Sequence, residues 1–238
     1  MNQLETELHR LYLVDDAPHG PPSLTSTDGH VRALVLELAR PADWQALSTV
    51  WQKVQSDLGL PAPAIAVNGN DGFQLWFSLA EPVTTAEASF FLESLRHRYL
   101  SAIAPDRFSM LPTEITHAQL VPALQQSTGR WSAFIAPDLA AIFADSPGLD
   151  VCPSVEAQAK VLAPLHSIKV SAFEVIFDQV IADVEKRSDT TQPSAPAIPA
   201  NTTHSNTDAK RFLNDVMNDI NVEMHLRIEA AKALLPYS

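Results

Sequence analysis

Hydrophobic positions change period several times along this chain, and each change marks an element. Residues 31–39 are rich in Val and Leu and read as a strand. Pro41 then opens a helix, at a position where its missing N–H costs nothing. Trp44, Leu47, Trp51, Val54 and Leu58 follow at helical spacing and form one apolar stripe. Residues 64–67 and 73–79 are short strands around Asn68-Gly69-Asn70-Asp71-Gly72, a turn sequence, so the two form a hairpin. Thr84 with Glu87 is a capping-box pattern, and Ala88, Phe91, Leu92, Leu95 and Tyr99 continue it as a helix. Further strands are expected at 108–111 and 131–136, and short helices at 138–144 and 154–165. Val170, Phe173, Phe177, Val180 and Val184 mark one more amphipathic helix, and a short helix within 1–13 precedes the first strand. This order predicts an α+β fold, a largely antiparallel sheet with helices packed on one face.

Composition divides the chain further. Residues 188–207 hold Pro193, Pro196 and Pro199 among Ser, Thr, Ala and Asn, too little apolar surface to offset ordering, and read as a linker. The organisation is thus a folded body at 1–187, the linker, and a C-terminal helix within 208–238. Leu213, Val216, Met217, Ile220, Met224, Ile228, Ala231 and Leu235 give that helix an apolar stripe across 208–235. Such a stripe folds back on the body or packs on a second copy, which makes a homo-oligomer one expectation. No basic start with an uninterrupted apolar run opens the sequence, and no window approaches 18 uncharged apolar residues. The expectation is a cytoplasmic protein without a membrane partner.

The net charge is −12, and the body carries most of it: 12 Lys and Arg against 22 acids up to Arg187, a net −10. That argues against a charge-driven duplex binder. One cysteine, Cys152, excludes an intramolecular disulfide, and no basic neighbour activates it. The eight histidines pair with neither Cys nor each other at metal-ligand spacing, and neither a GxSxG elbow nor a GxxxxGK[ST] loop occurs.

Candidate chemistry gathers on two strands. Phe73, Leu75, Phe77 and Leu79 form one face, leaving Gln74, Trp76 and Ser78 on the other. In 31–39, Leu34, Leu36 and Leu38 form the core face, and Glu37 points the other way with Ala33, Val35 and Ala39. Neighbouring strands would place Glu37, Gln74 and Trp76 on one open surface, where an acid and an amide beside an indole could hold a planar polar ligand or stack a base. A solvated polar face of an antiparallel sheet would look the same. Arg107 and Arg130 would add local positive potential if they converged there.

The run Ala33-Leu34-Val35-Leu36-Glu37-Leu38-Ala39-Arg40-Pro41 resembles the first motif of the archaeo-eukaryotic primases and primase-polymerases, a hydrophobic strand with two acids. Gly69 to Val83 resembles their second, a Gly-rich hairpin leading to a histidine and an aromatic run. The resemblance spans about residues 31–111. It implies a primase-polymerase-like fold and a setting in DNA replication or mobile elements. It places the first acid at Glu37, the second at Ala39, the histidine at Gln74, and the third acid nearest Asp106. Two-metal nucleotidyl transfer needs several converging carboxylates. With Ala39 and Gln74 in those places, the resemblance implies a degenerate member that binds a nucleotide or single-stranded nucleic acid in an accessory or regulatory role. No cofactor follows from it, and Mg²⁺ would be required only by an active enzyme using Glu37 with Asp71 or Asp106. A protein–protein assembly module built on the C-terminal helix is the alternative.

Overall fold

The computed structural model describes residues 2–14, 23–113 and 115–176. The expected helix at 208–235, the linker and the distal part of the helix begun at Val170 lie outside the described residues. Among the described residues no helix is long and apolar enough to cross a membrane.

Eleven elements among the described residues build the site and its support. They are α1 (Gln3–Leu11), β1 (His30–Ala39), α2 (Trp44–Ser56), β2 (Ala64–Val67), β3 (Gly72–Thr84), α3 (Thr85–Tyr99), β4 (Phe108–Leu111), a strand pair β5 (Leu124–Gln125) and β6 (Arg130–Trp131), then β7 (Ala133–Ile135) and α4 (Val155–Leu162). β4-β1-β3-β2-β7 form one sheet, antiparallel at every pairing, and β5-β6 form a separate ribbon. The expected hairpin is β2–β3, with Ala66 opposite Gln74. The expected strand at 131–136 is broken at Ser132, whose N–H and hydroxyl hold the backbone of Ala123 in place of a sheet neighbour. Residues on its two sides therefore join different sheets.

Helix ends follow their caps. Thr84 and Glu87 form the expected capping box at the start of α3. The start of α2, at Trp44, is three residues later than Pro41 suggested: the Asp43 carboxylate accepts from the Ala46 N–H at 2.9 Å and caps the helix, which Pro41 has no side-chain oxygen to do. The segment at 138–144 forms only a single 3-10 turn, Ala140–Phe143.

Helices cover both faces of the sheet, which corrects the one-face expectation. Leu34, Leu36, Leu38, Phe73, Leu75 and Phe77 pack under α2, α3 and the helical residues 170–176. On the other face, Ala33, Val35, Ala66 and Trp76 pack against Leu4, Leu8 and Leu11 of α1 and Ala159 and Leu162 of α4. Small residues on β1 and β2 leave room for this second layer, which periodicity within a strand cannot reveal.

Two arginines seat that layer. Arg32 on β1 donates to the carbonyls of Leu79 (3.0 Å), Leu13 (3.2 Å) and Arg10 (2.9 Å), and so binds the C-terminal end of α1 to the sheet. Arg10 in turn donates to Leu162 (3.1 Å) and Leu165 (2.9 Å) at the end of α4. A cation at a helix C-terminus satisfies carbonyls that have no intrahelical partner.

Arg32→Ala is expected to lower the unfolding free energy in urea by about 2–3 kcal/mol, the scale for losing charged hydrogen bonds. Thr84→Ala is expected to cost about 1 kcal/mol. The Thr84 hydroxyl and N–H hold the Glu87 carboxyl below the usual carboxylate range. The cap is therefore intact at neutral pH, and its contribution disappears as the pH falls through the acidic range. The difference between wild type and Thr84→Ala should narrow there.

Candidate functional site

Glu37 and Gln74 face each other directly across the β1–β3 ladder. Their side chains meet: Gln74 Nε2 donates to Glu37 Oε2 at 2.6 Å. Gln74 Oε1 accepts from Trp76 Nε1 at 2.8 Å, two positions further along the same face of β3. Gln74 is only 9% exposed and Trp76 is fully buried. An amide taken out of water this completely must be hydrogen-bonded at both ends, and here it is.

The indole is held in an aromatic cluster. Tyr12 meets Trp76 edge-on with centroids 5.3 Å apart, and Phe134 does the same at 5.7 Å. Tyr12 and Phe134 stack at 6.1 Å. Such pairs each add about 0.5–1.5 kcal/mol beyond their burial. Burial pushes the Tyr12 phenol far above its ordinary range, so it remains a neutral ring. The structure thus corrects the expectation of an exposed indole: α1 and β7 cover Trp76, and no face is left for stacking a base.

What opens to solvent lies beyond Gln74. Glu37 and Gln74 line a cleft of about 190 Å³ with Asn68, Asn70, Gln119 and Gln125. Leu111, Val121 and Ser132 complete its walls. Five carboxamides and one carboxylate converge there, with no Lys or Arg among the described lining residues. Asn68 is the pivot of the β2–β3 turn. Its Oδ1 accepts from the N–H groups of Asn70 (2.8 Å), Asp71 (3.0 Å) and Gly72 (3.0 Å). The turn is clamped from outside by the loop after β7: the Gly69 N–H donates to the Pro147 carbonyl at 2.9 Å, and a Cβ on Gly148 would lie 2.8 Å from the Gly69 Cα.

The remaining expected site residues do not join the cleft. The Arg107 guanidinium donates to the Pro41 carbonyl at 2.7 Å, and Arg130 donates to the Gly148 carbonyl at 2.6 Å and pairs with Asp150 at 3.1 Å. Both are tied to loops and do not converge with Trp76. Asp106 sits in the turn Pro105–Arg107, where its carbonyl accepts from Arg40. Asp71 accepts from Asn68 Nδ2 at 3.4 Å and does not line the cleft. Among the described residues no three His, Cys, Asp or Glu side chains come together.

Ala39, where the resemblance places a second acid, is 1% exposed and paired with Gly72. A Cβ on Gly72 would lie 2.8 Å from the Ala39 Cβ, so the two strands touch there with no space for a carboxylate. Asn68, Asn70, Gln119 and Gln125 were not among the expected site residues. Asn68 and Asn70 were visible as turn formers. Gln119 and Gln125 lie in a stretch without periodicity, and only the tertiary fold brings them to the cleft.

No family model matches the chain. No curated protein matches its sequence. Among solved structures, the polymerase domain of Mycobacterium tuberculosis Ligase D in complex with DNA is similar with a TM-score of 0.30 and 14% identity, over 77% of this chain. The chain spans 62% of the length of that structure. At that distance it is the cleft's own geometry that bears on function.

Two substitutions test this geometry. Ala39→Asp is expected to lower thermal stability and to produce no Mg²⁺-dependent shift, because the new carboxylate has no room and no partner acids. Gly148→Ala is expected to destabilise by about 2 kcal/mol or more, because its Cβ meets backbone that cannot yield without moving the Asn68 turn. Both are read by thermal and urea denaturation, with and without Mg²⁺ for the first.

Proposed function

We propose that this chain is a primase-polymerase-like domain without nucleotidyl-transfer chemistry, an accessory that holds a base of a nucleotide or of a single strand. One observation carries the proposal: the hydrogen-bonded Glu37–Gln74 pair lines a small, amide-rich cleft. Its volume of about 190 Å³ lies below the ~300 Å³ at which drug-sized pockets begin, and suits one planar heterocycle. Carboxamides and a carboxylate are the groups that read base edges.

Electrostatics support recognition of the base rather than of phosphate. The cleft has no basic side chain among its described lining residues, and one carboxylate. The guanidinium groups of Arg10, Arg32, Arg40, Arg107 and Arg130 are all donating to backbone carbonyls. Arg96 is engaged with Glu93. Counterion release, the usual source of affinity for a polyanion, therefore has little to draw on.

The test is a titration of the full chain with nucleosides and with mixed-sequence single-stranded oligonucleotides at several salt concentrations. Saturable binding is expected, with a logarithmic salt slope of magnitude below about 1, far shallower than that of a protein neutralising six or more phosphates. Glu37→Ala, which opens the acceptor end of the cleft, is expected to weaken binding about tenfold or more. Absence of binding to every nucleoside and oligonucleotide, or a steep salt slope, defeats the proposal.

A further inference from the structure

We infer that the cleft selects guanine over the other bases, because one hydrogen-bond chain that ends in it presents an acceptor, Glu37, and the other a donor, the Gln119 amide. The inference rests on the base-binding reading above and gives it a substrate class.

The first chain starts at a group that can only donate. Trp76 Nε1 donates to Gln74 Oε1, so the Gln74 amide cannot turn over without setting N–H against N–H and oxygen against carboxylate. Its NH₂ therefore faces Glu37, and Glu37 is held as an acceptor. Oε2 takes the Gln74 hydrogen bond, and Oε1 has no partner among the described residues. Trp76 is thus a positioning residue: it touches no ligand, but it determines which end of the amide the carboxylate meets.

The second chain runs the other way. Asn70 Nδ2 donates to Gln125 Oε1 at 3.5 Å, and Gln125 Nε2 donates to Gln119 Oε1 at 3.0 Å. This leaves the Gln119 NH₂ as the terminal group, a donor. The cleft therefore offers a carboxylate acceptor and an amide donor to the same ligand.

Guanine's pairing edge carries two adjacent donors, N1–H and N2–H₂, beside the O6 acceptor. The carboxylate accepts from the first two and the Gln119 amide donates to the third. Adenine sets the N1 lone pair beside its single donor group, so a carboxylate there meets repulsion. Cytosine has one donor group on that edge. A guanidinium would satisfy Glu37 equally well, but it has no acceptor for the amide and would leave it unpaired. A matched bidentate pair discriminates by about 10- to 100-fold between bases.

The experiment is calorimetric titration of the full chain with guanosine, inosine, adenosine, cytidine and methylguanidinium. Guanosine is expected to bind about 10- to 100-fold more tightly than adenosine or cytidine. Inosine, which lacks the N2 amino group, should fall between. Glu37→Gln should bring the guanosine-to-adenosine ratio close to one. Gln119→Ala, an exposed change that does not disturb folding, should lower the ratio by weakening guanosine. Trp76→Phe, which frees the Gln74 amide to turn, should lower the ratio too, a readout that packing alone would not move. Saturable nucleoside binding with a ratio near one, or a ratio unchanged in both Glu37→Gln and Gln119→Ala, overturns the guanine inference and leaves base binding standing. Methylguanidinium binding as tightly as guanosine overturns it in favour of an arginine side chain from a protein partner. No binding by any nucleoside defeats the base-binding reading, and the inference with it.

Discussion

Burying β3 on both faces imposes the condition from which the rest of the structure follows. Every residue from Gly72 to Leu79 is buried, yet the strand carries Gln74, Trp76 and Ser78 on one side. Polar groups taken out of water must be paired within the protein. Ser78 meets the demand by donating to the Leu11 carbonyl at 2.6 Å, which sets where α1 ends. Gln74 meets it with Trp76 on one side and Glu37 on the other. The same requirement that fixes the second helical layer therefore also brings a carboxylate to the mouth of the cleft.

The basic residues follow a comparable logic. In an acidic body, a few arginines are the natural groups to hold a ligand. Instead they serve the backbone: Arg32 and Arg10 finish the helices of the second layer, Arg40 and Arg107 fix the chain leaving β1, and Arg130 holds the loop that presses on the Asn68 turn. The cleft is left with amides and one acid. Among its described lining residues there is no cation, so hydrogen-bond donors and acceptors are what it has to offer.

The sequence made the central strands legible because their patterns are clean. β1, β2, β3, α3 and their turn were readable from alternation, from the Asn and Gly run and from the Thr84–Glu87 box. The neighbourhood of Glu37 and Gln74 was also in reach, because adjacent antiparallel strands bring opposed positions together. The second layer was not legible. A strand with Ala33, Val35 and Ala39 on one face reads as half-solvated, and only the packing of Leu4, Leu8 and Leu162 against it shows that small residues there make room for helices. The fate of Trp76 follows from the same gap: an indole next to two polar residues looks like a ligand platform until something is known to cover it. Gln119 and Gln125 had no local signal, since their role depends on where a loop without periodicity crosses the sheet.

One contact on the far side of the sheet has a wider reach. β7 is an edge strand, and edge strands offer their outward N–H and C=O groups to any passing extended chain. Here Gln158 of α4 occupies both: its Oε1 accepts from the Phe134 N–H at 2.7 Å and its Nε2 donates to the Phe134 carbonyl at 2.9 Å. A single side chain imitates the peptide of a sixth strand. Growth of the sheet in that direction would require α4 to lift away first, so the helix that shelters the aromatic cluster also keeps β7 from recruiting foreign strands.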